Sequence, residues 1–121
     1  MIHEYLKQVE DLLKRIEIFV DYSFHYKLDE DAETLKIWIS ATFHGGARFN
    51  GFEFVTFEAD SLAKDKYRYN FIVGKRIIRW DNAPHHPELA TFPHHLHIDS
   101  KVTHAQTPSL EYILNYIKRF L

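Results

Sequence analysis

Cysteine is absent from the 121-residue chain, which excludes disulfides and every thiolate-held zinc or iron–sulfur centre. No apolar run approaches the ~20 residues that span a bilayer, so no membrane association is expected. The mixed charges of the first residues do not read as a signal peptide, and a cytoplasmic protein is the expectation. The chain shows no Gly-rich phosphate loop, no dinucleotide fingerprint and no Ser or Cys nucleophile motif. No nucleotide cofactor is therefore expected. Glycine and proline number only four each, and the prolines are confined to the C-terminal half, at Pro84, Pro87, Pro93 and Pro108.

A hydrophobic content of 45% against 26% charged residues describes a folded chain rather than a disordered one. Its length suits one domain, residues 1–121, with a core that needs no covalent staple. The net charge of −2 hides an asymmetry: residues 1–62 carry six basic and twelve acidic side chains, residues 63–121 nine and five. A basic partner could dock on the acidic stretch 10–33, although plain solubility also accounts for it.

Periodicity supplies the fold class. Leu6, Val9, Leu13 and Ile16 mark one apolar face of a helix over residues 3–15. The period then changes to two. Ile16, Ile18, Val20, Tyr22, Phe24, Tyr26 and Leu28 alternate with polar residues, predicting a half-buried strand. A second strand follows on Leu35, Ile37, Ile39, Ala41 and Phe43, closed by a Gly45–Gly46 turn. A third spans about 48–58, with Phe49, Val55 and Phe57 on one face and Phe52 and Phe54 on the other. Both of its faces are apolar, which predicts a central strand or a homodimer surface. After a polar break at 59–66, strand four carries Tyr67, Tyr69, Phe71 and Val73. A two-residue Gly74–Lys75 turn leads to strand five, residues 76–80. Leu96, His97 and Ile98 form a short last strand. Thr107 is expected to cap a final helix with Pro108 at its first position. The expectation is a single α+β domain: an antiparallel meander of about five strands with an N-terminal and a C-terminal helix packed on one face.

Nine histidines are present, and five fall within thirteen residues: His85, His86, His94, His95 and His97. His3, His25 and His44 read as ordinary surface or strand positions. The clustered imidazoles sit in a segment whose prolines each fix one backbone torsion, so the rings can be held in place. Imidazole titrates near pH ~6.5 and can supply a neutral base beside a charged acid. Cleaving an RNA phosphodiester needs that pair plus a cation on the phosphate. The histidines supply the pair, Arg79 the cation, and Asp81 a carboxylate to orient a ring. Alternatively, His95 and His97 share a face if the segment is extended, and with Asp81 or Glu88 they make a Zn, Mn or Ni set. A third option is a hydrogen-bonded clasp with no chemistry. A basic run leads into this segment: Lys64, Lys66, Arg68, Lys75, Arg76 and Arg79 against Asp65 alone give +5 over sixteen residues. Lys66 and Arg68, beside aromatics, read as RNA contacts, or else as a solvated sheet face.

The string RWDNAPHHPELATFPHHLH, residues 79–97, resembles the signature of the TumE family, small toxins of prokaryotic toxin–antitoxin pairs. The likeness extends to the Tyr-rich strand at 66–73 and to the Pro-Ser-Leu-Glu helix start at 108–111. It implies a toxin role, a cognate antitoxin as partner and a prokaryotic cytoplasm. Many small toxins of this kind are ribonucleases. On the matching positions the resemblance puts the site at Asp81, His85, His86, His94 and His95, with Arg79 as the phosphate contact and His97 as a lesser candidate. The leading expectation is an RNA-cleaving toxin. Its alternatives are a toxin that acts by binding, with a structural His/Pro segment, and a metal-dependent hydrolase built on Asp81, His95 and His97.

Overall fold

The computed structural model describes residues 1–16 and 19–121; the strand positions expected at Glu17 and Ile18 lie outside the described residues. Helix α1 spans Ile2–Arg15, with Glu4 in its first turn and Lys14 and Arg15 in its last, each sign opposing the helix dipole. Seven strands follow: β1 (Phe19–Asp29), β2 (Thr34–Phe43), β3 (Arg48–Glu58), β4 (Ser61–Val73), β5 (Arg76–Asp81), β6 (His95–Ile98) and β7 (Lys101–His104). Helix α2, Leu110–Ile117, comes last. Every strand pairs antiparallel with its chain neighbours in one sheet ordered β1 to β7. No helix among the described residues is long and apolar enough to cross a membrane.

The architecture is the expected α+β meander, but the sheet has seven strands rather than about five. The added β7 has no apolar alternation to announce it. Its ladder opposite β6, from His95↔His104 to Ile98↔Lys101, is held by backbone groups that any residue carries. Strand β4 also starts earlier than its side chains indicate. The β3–β4 ladder runs back to Glu58↔Ser61, and a register shift at Phe54/Val55 absorbs the irregularity within the polar stretch. On β1, Tyr22 and Tyr26 stay 37% and 49% exposed, because an edge strand has a neighbour on one side only.

One face of the sheet builds the core. Leu35, Ile37, Ile39, Ala41 and Phe43 of β2 are all buried, and so are Phe49, Val55, Tyr67, Tyr69, Phe71, Ile78 and Trp80 on the following strands. They share a single cluster with Leu6, Val9 and Leu13 of α1 and with Leu110, Ile113, Leu114 and Ile117 of α2. Trp80 meets Tyr116 of α2 edge-on, centroids 5.2 Å apart.

The cap of α2 differs from the expectation. Ser109, not Thr107, is the N-cap; its hydroxyl oxygen accepts from the Tyr112 N–H at 3.0 Å, and the helix begins at Leu110. Pro108 therefore precedes the helix rather than opening it. Its carbonyl accepts from Lys64 Nζ at 2.9 Å, which ties the approach to α2 onto β4.

Candidate functional site

Residues on a strand alternate between faces, so the ladder registers fix what the outer face presents. One row crosses all seven strands as His25, Trp38, Phe52, Arg68, Asp81, His95 and His104. The next row includes Asn50, Asn70, Arg79 and His97. The two rows carry a histidine–carboxylate cluster at the β5–β6 end and aromatics at the β2–β3 end.

The cluster centres on Asp81 and His95, which are 6% and 1% exposed. His95 Nε2 lies 2.8 Å from Asp81 Oδ1, and its Nδ1 lies 2.9 Å from the Pro93 carbonyl. A carbonyl only accepts, so Nδ1 carries a hydrogen. The remaining nitrogen then faces a carboxylate oxygen. Two lone pairs at that distance repel, so a proton shared between ring and carboxylate, or a metal cation, belongs between them. Asp81 Oδ1 also accepts the Ala83 N–H at 3.1 Å, which fixes the carboxylate at the point where the chain leaves β5.

Two further imidazoles surround His95 and reach solvent. The His97 ring is 4.8 Å from it, centroid to centroid, and the His86 ring 5.4 Å; His86 and His97 are 5.8 Å apart. All three pairs meet edge to face. His97 Nε2 lies 3.9 Å from Asp81 Oδ2. Burial above all, then the neighbouring His95, holds the His97 imidazole below the usual histidine range, although Asp81 pulls the other way. His86 adopts a left-handed backbone with φ of 58°, uncommon for a residue with a Cβ. Its Nδ1 lies 3.1 Å from Glu88 Oε1, which aims the rest of the ring at its two neighbours. Asp81, His95 and His97 each offer a ligand atom within 4.8 Å of the others, a two-imidazole, one-carboxylate set that suits a divalent ion.

The two halves of the His94–His95 pair part company. His94 turns the opposite way, stacks on the Tyr67 ring at 5.8 Å and 8°, and places Nδ1 2.9 Å from the Tyr67 hydroxyl. Thr107 Oγ1 approaches it at 3.2 Å, and the Thr91 hydroxyl donates to the His94 carbonyl at 2.7 Å. Burial, with Asp81 nearby, pushes the Tyr67 phenol up to about 12. His94 thus ties the loop to the core side of the sheet. His94→Ala is expected to lower stability by about 1–2 kcal/mol through the lost hydrogen bonds, measured as a lower urea midpoint at unchanged slope.

His85 is exposed, and its backbone N–H donates to the Ala83 carbonyl at 2.7 Å. Arg68 stands opposite Asp81 across the β4–β5 ladder, and Arg79 opposite His97 across β5–β6. Lys66 lies farther along the outer face, opposite Phe54. The structure therefore brings together Asp81, His86, His95 and His97, flanks them with Arg68 and Arg79, and leaves His85, His94 and Lys66 outside.

A second polar centre lies on the core side and was not anticipated. Glu53 is 1% exposed and accepts from the Tyr5 hydroxyl and, at 2.5 Å, from the Tyr69 hydroxyl. Lys64 Nζ lies 3.4 Å from it. Burial lowers the lysine's proton affinity despite the carboxylate and raises that of both phenols well above the tyrosine range. Its signal was in the period-two pattern: Glu53 falls in phase with Phe49, Val55 and Phe57.

A family model described as Toxin TumE matches residues 9–121. No curated protein and no solved structure matches the chain.

Proposed function

The chain belongs to the TumE toxin family, and from that premise we propose that it acts as a ribonuclease through the imidazoles gathered around Asp81. Toxin families of this kind imply an antitoxin partner, and the proposed role of that partner is to keep the activity silent. The observation that carries the reading is the packing of three rings, His86, His95 and His97, within 5.8 Å of one another beside a buried carboxylate. Clustered imidazoles are poor filling for a core, since each nitrogen needs a partner, and an acid–base pair needs this proximity.

Exposure divides the labour. His95 is too buried to touch a substrate, so with Asp81 it serves as a positioning pair. His86 and His97 reach solvent and do the proton transfers. His97, held neutral, takes the proton of a ribose 2′-hydroxyl, and the freed electron pair forms the O–P bond. The P–O5′ bond breaks, and the leaving oxygen takes its proton from the His86 imidazolium. The products are a 2′,3′-cyclic phosphate and a 5′-hydroxyl, and exchange with water resets both rings. Arg79 and Arg68 offset the phosphate charge.

The convergence of Asp81, His95 and His97 within 4.8 Å favours a second reading, in which a divalent ion activates the nucleophile. One experiment tests both. The purified protein is expected to cleave single-stranded RNA to 2′,3′-cyclic ends, with the rate unchanged by EDTA. Loss in EDTA with recovery on adding Mn²⁺ or Zn²⁺ would select the metal reading. Intact RNA under all conditions, from protein that arrests growth, would overturn both.

A further inference from the structure

Beyond the cluster, the outer face of the sheet carries a groove of about 450 Å³ whose lining includes His25, Trp38, Asn50, Phe52, Arg68 and Asn70. We infer that this groove is a single-stranded RNA platform, with successive bases stacked on Trp38 and Phe52 and the backbone led along Arg68 and Arg79 to the histidines. The inference deepens the ribonuclease reading and rests on it for the direction of the strand.

Four observations point to this occupant. First, Trp38 is 42% exposed and tilts against Phe52 with centroids 5.6 Å apart. An indole left facing water on the second strand of the sheet costs solubility, while base–aromatic stacking recovers it whatever the base. Second, no Asp or Glu among the described residues lines the groove. The same face adds Lys36, placed over the Phe54 ring at 5.8 Å, and Lys66 opposite that phenylalanine. In a chain of net charge −2, such a local cationic field selects a polyanion.

Third, Asn70 Oδ1 and Arg79 Nε are buried and lack a hydrogen-bond partner among the described residues. They stand opposite each other on β4 and β5, between the groove and the cluster. One accepts and the other donates, and an orphaned buried polar atom is costly until a ligand meets it. Fourth, the spacing fits. Asp81 is two strands from Phe52 and His97 three, about 10–15 Å at the usual strand separation. A base seated on Phe52 therefore puts a nearby phosphate within reach of the cluster. A duplex, with its bases stacked inside, cannot use the rings.

The test measures binding apart from cleavage. A short fluorescein-labelled 2′-O-methyl RNA has no free 2′-hydroxyl and survives intact. It should bind the full chain and quench tryptophan emission; Trp80, 2% exposed, gives only a constant background. Trp38→Ala and Phe52→Ala should each weaken binding about 10-fold by anisotropy, and Trp38→Phe should keep most of it. The duplex of the same sequence should compete poorly. Both side chains lie outside the core, and melting curves of the variants establish that they fold. Unchanged affinity in the folded alanine variants, equal binding of the duplex, or capture of this face by a second copy of the chain or a protein partner with no RNA bound would overturn the inference. Binding that depends on Trp38 without any cleavage would sustain the platform and remove the ribonuclease assignment. Cleavage indifferent to Trp38 and Phe52 would do the reverse.

Discussion

His97→Ala is expected to lower RNA cleavage about 10²–10⁴-fold, the usual worth of a positioned acid or base, with little change in melting temperature. His97 is partly exposed on the outer face, and its loss opens no cavity in the core. His86→Ala should behave alike, because its ring meets solvent and is held by Glu88 at 3.1 Å. Asp81→Asn should impair cleavage through His95, since an amide holds neither a shared proton nor a cation against Nε2 as a carboxylate does. The contrast is His94→Ala, which is expected to soften the fold while cleavage persists, because His94 belongs to the Tyr67 clasp. A His97→Ala protein that cleaves at the wild-type rate would remove this site from consideration, and growth arrest by the same variants would give the cellular counterpart.

The largest stability effect is expected at Lys64. Lys64→Met strands the Glu53 carboxylate in the core with two tyrosine hydroxyls and no cation. Removing one member of a buried pair costs about 3–5 kcal/mol, or roughly 10–20 °C in melting temperature for a domain of this size. The lysine also donates to the Tyr69 hydroxyl at 2.5 Å and to the Pro108 carbonyl at 2.9 Å, so the approach to α2 loosens with it. Adding Glu53→Gln should restore most of the loss, because a neutral amide can accept from one of the two tyrosine hydroxyls and donate to the other, with no unpaired charge. A Lys64→Met protein that melts with the wild type would show that the pair contributes nothing net.

Sequence period made the core legible because a half-buried strand must alternate: the five inward positions of β2 were readable one by one. It could not reveal β7, whose stabilisation is backbone pairing. It placed the last cap wrongly because Thr107 and Ser109 are chemically equivalent candidates, and only the path of the chain past Lys64 and His94 separates them. In the histidine segment the composition signalled a constrained cluster, and alternation already put His95 and His97 on one side. The departure of His94 depends on its stacking against Tyr67, twenty-seven residues away, a tertiary fact. His86 joins the cluster through a left-handed residue that no side-chain pattern encodes.

Strict pairing between chain neighbours has a thermodynamic consequence. Every member of the cluster lies between residues 81 and 97, within the hairpin formed by β5 and β6. The Glu53–Lys64 centre lies on the opposite face and draws on α1, β3 and β4. The two meet at Tyr67, whose ring stacks on Tyr69 and lies 5.8 Å from Lys64 Nζ while Asp81 acts on its phenol, so free energies on the two faces add except where they couple through that ring. Stability and chemistry therefore draw on opposite faces of this fold and are joined at one tyrosine: a change on either face is felt on the other through Tyr67.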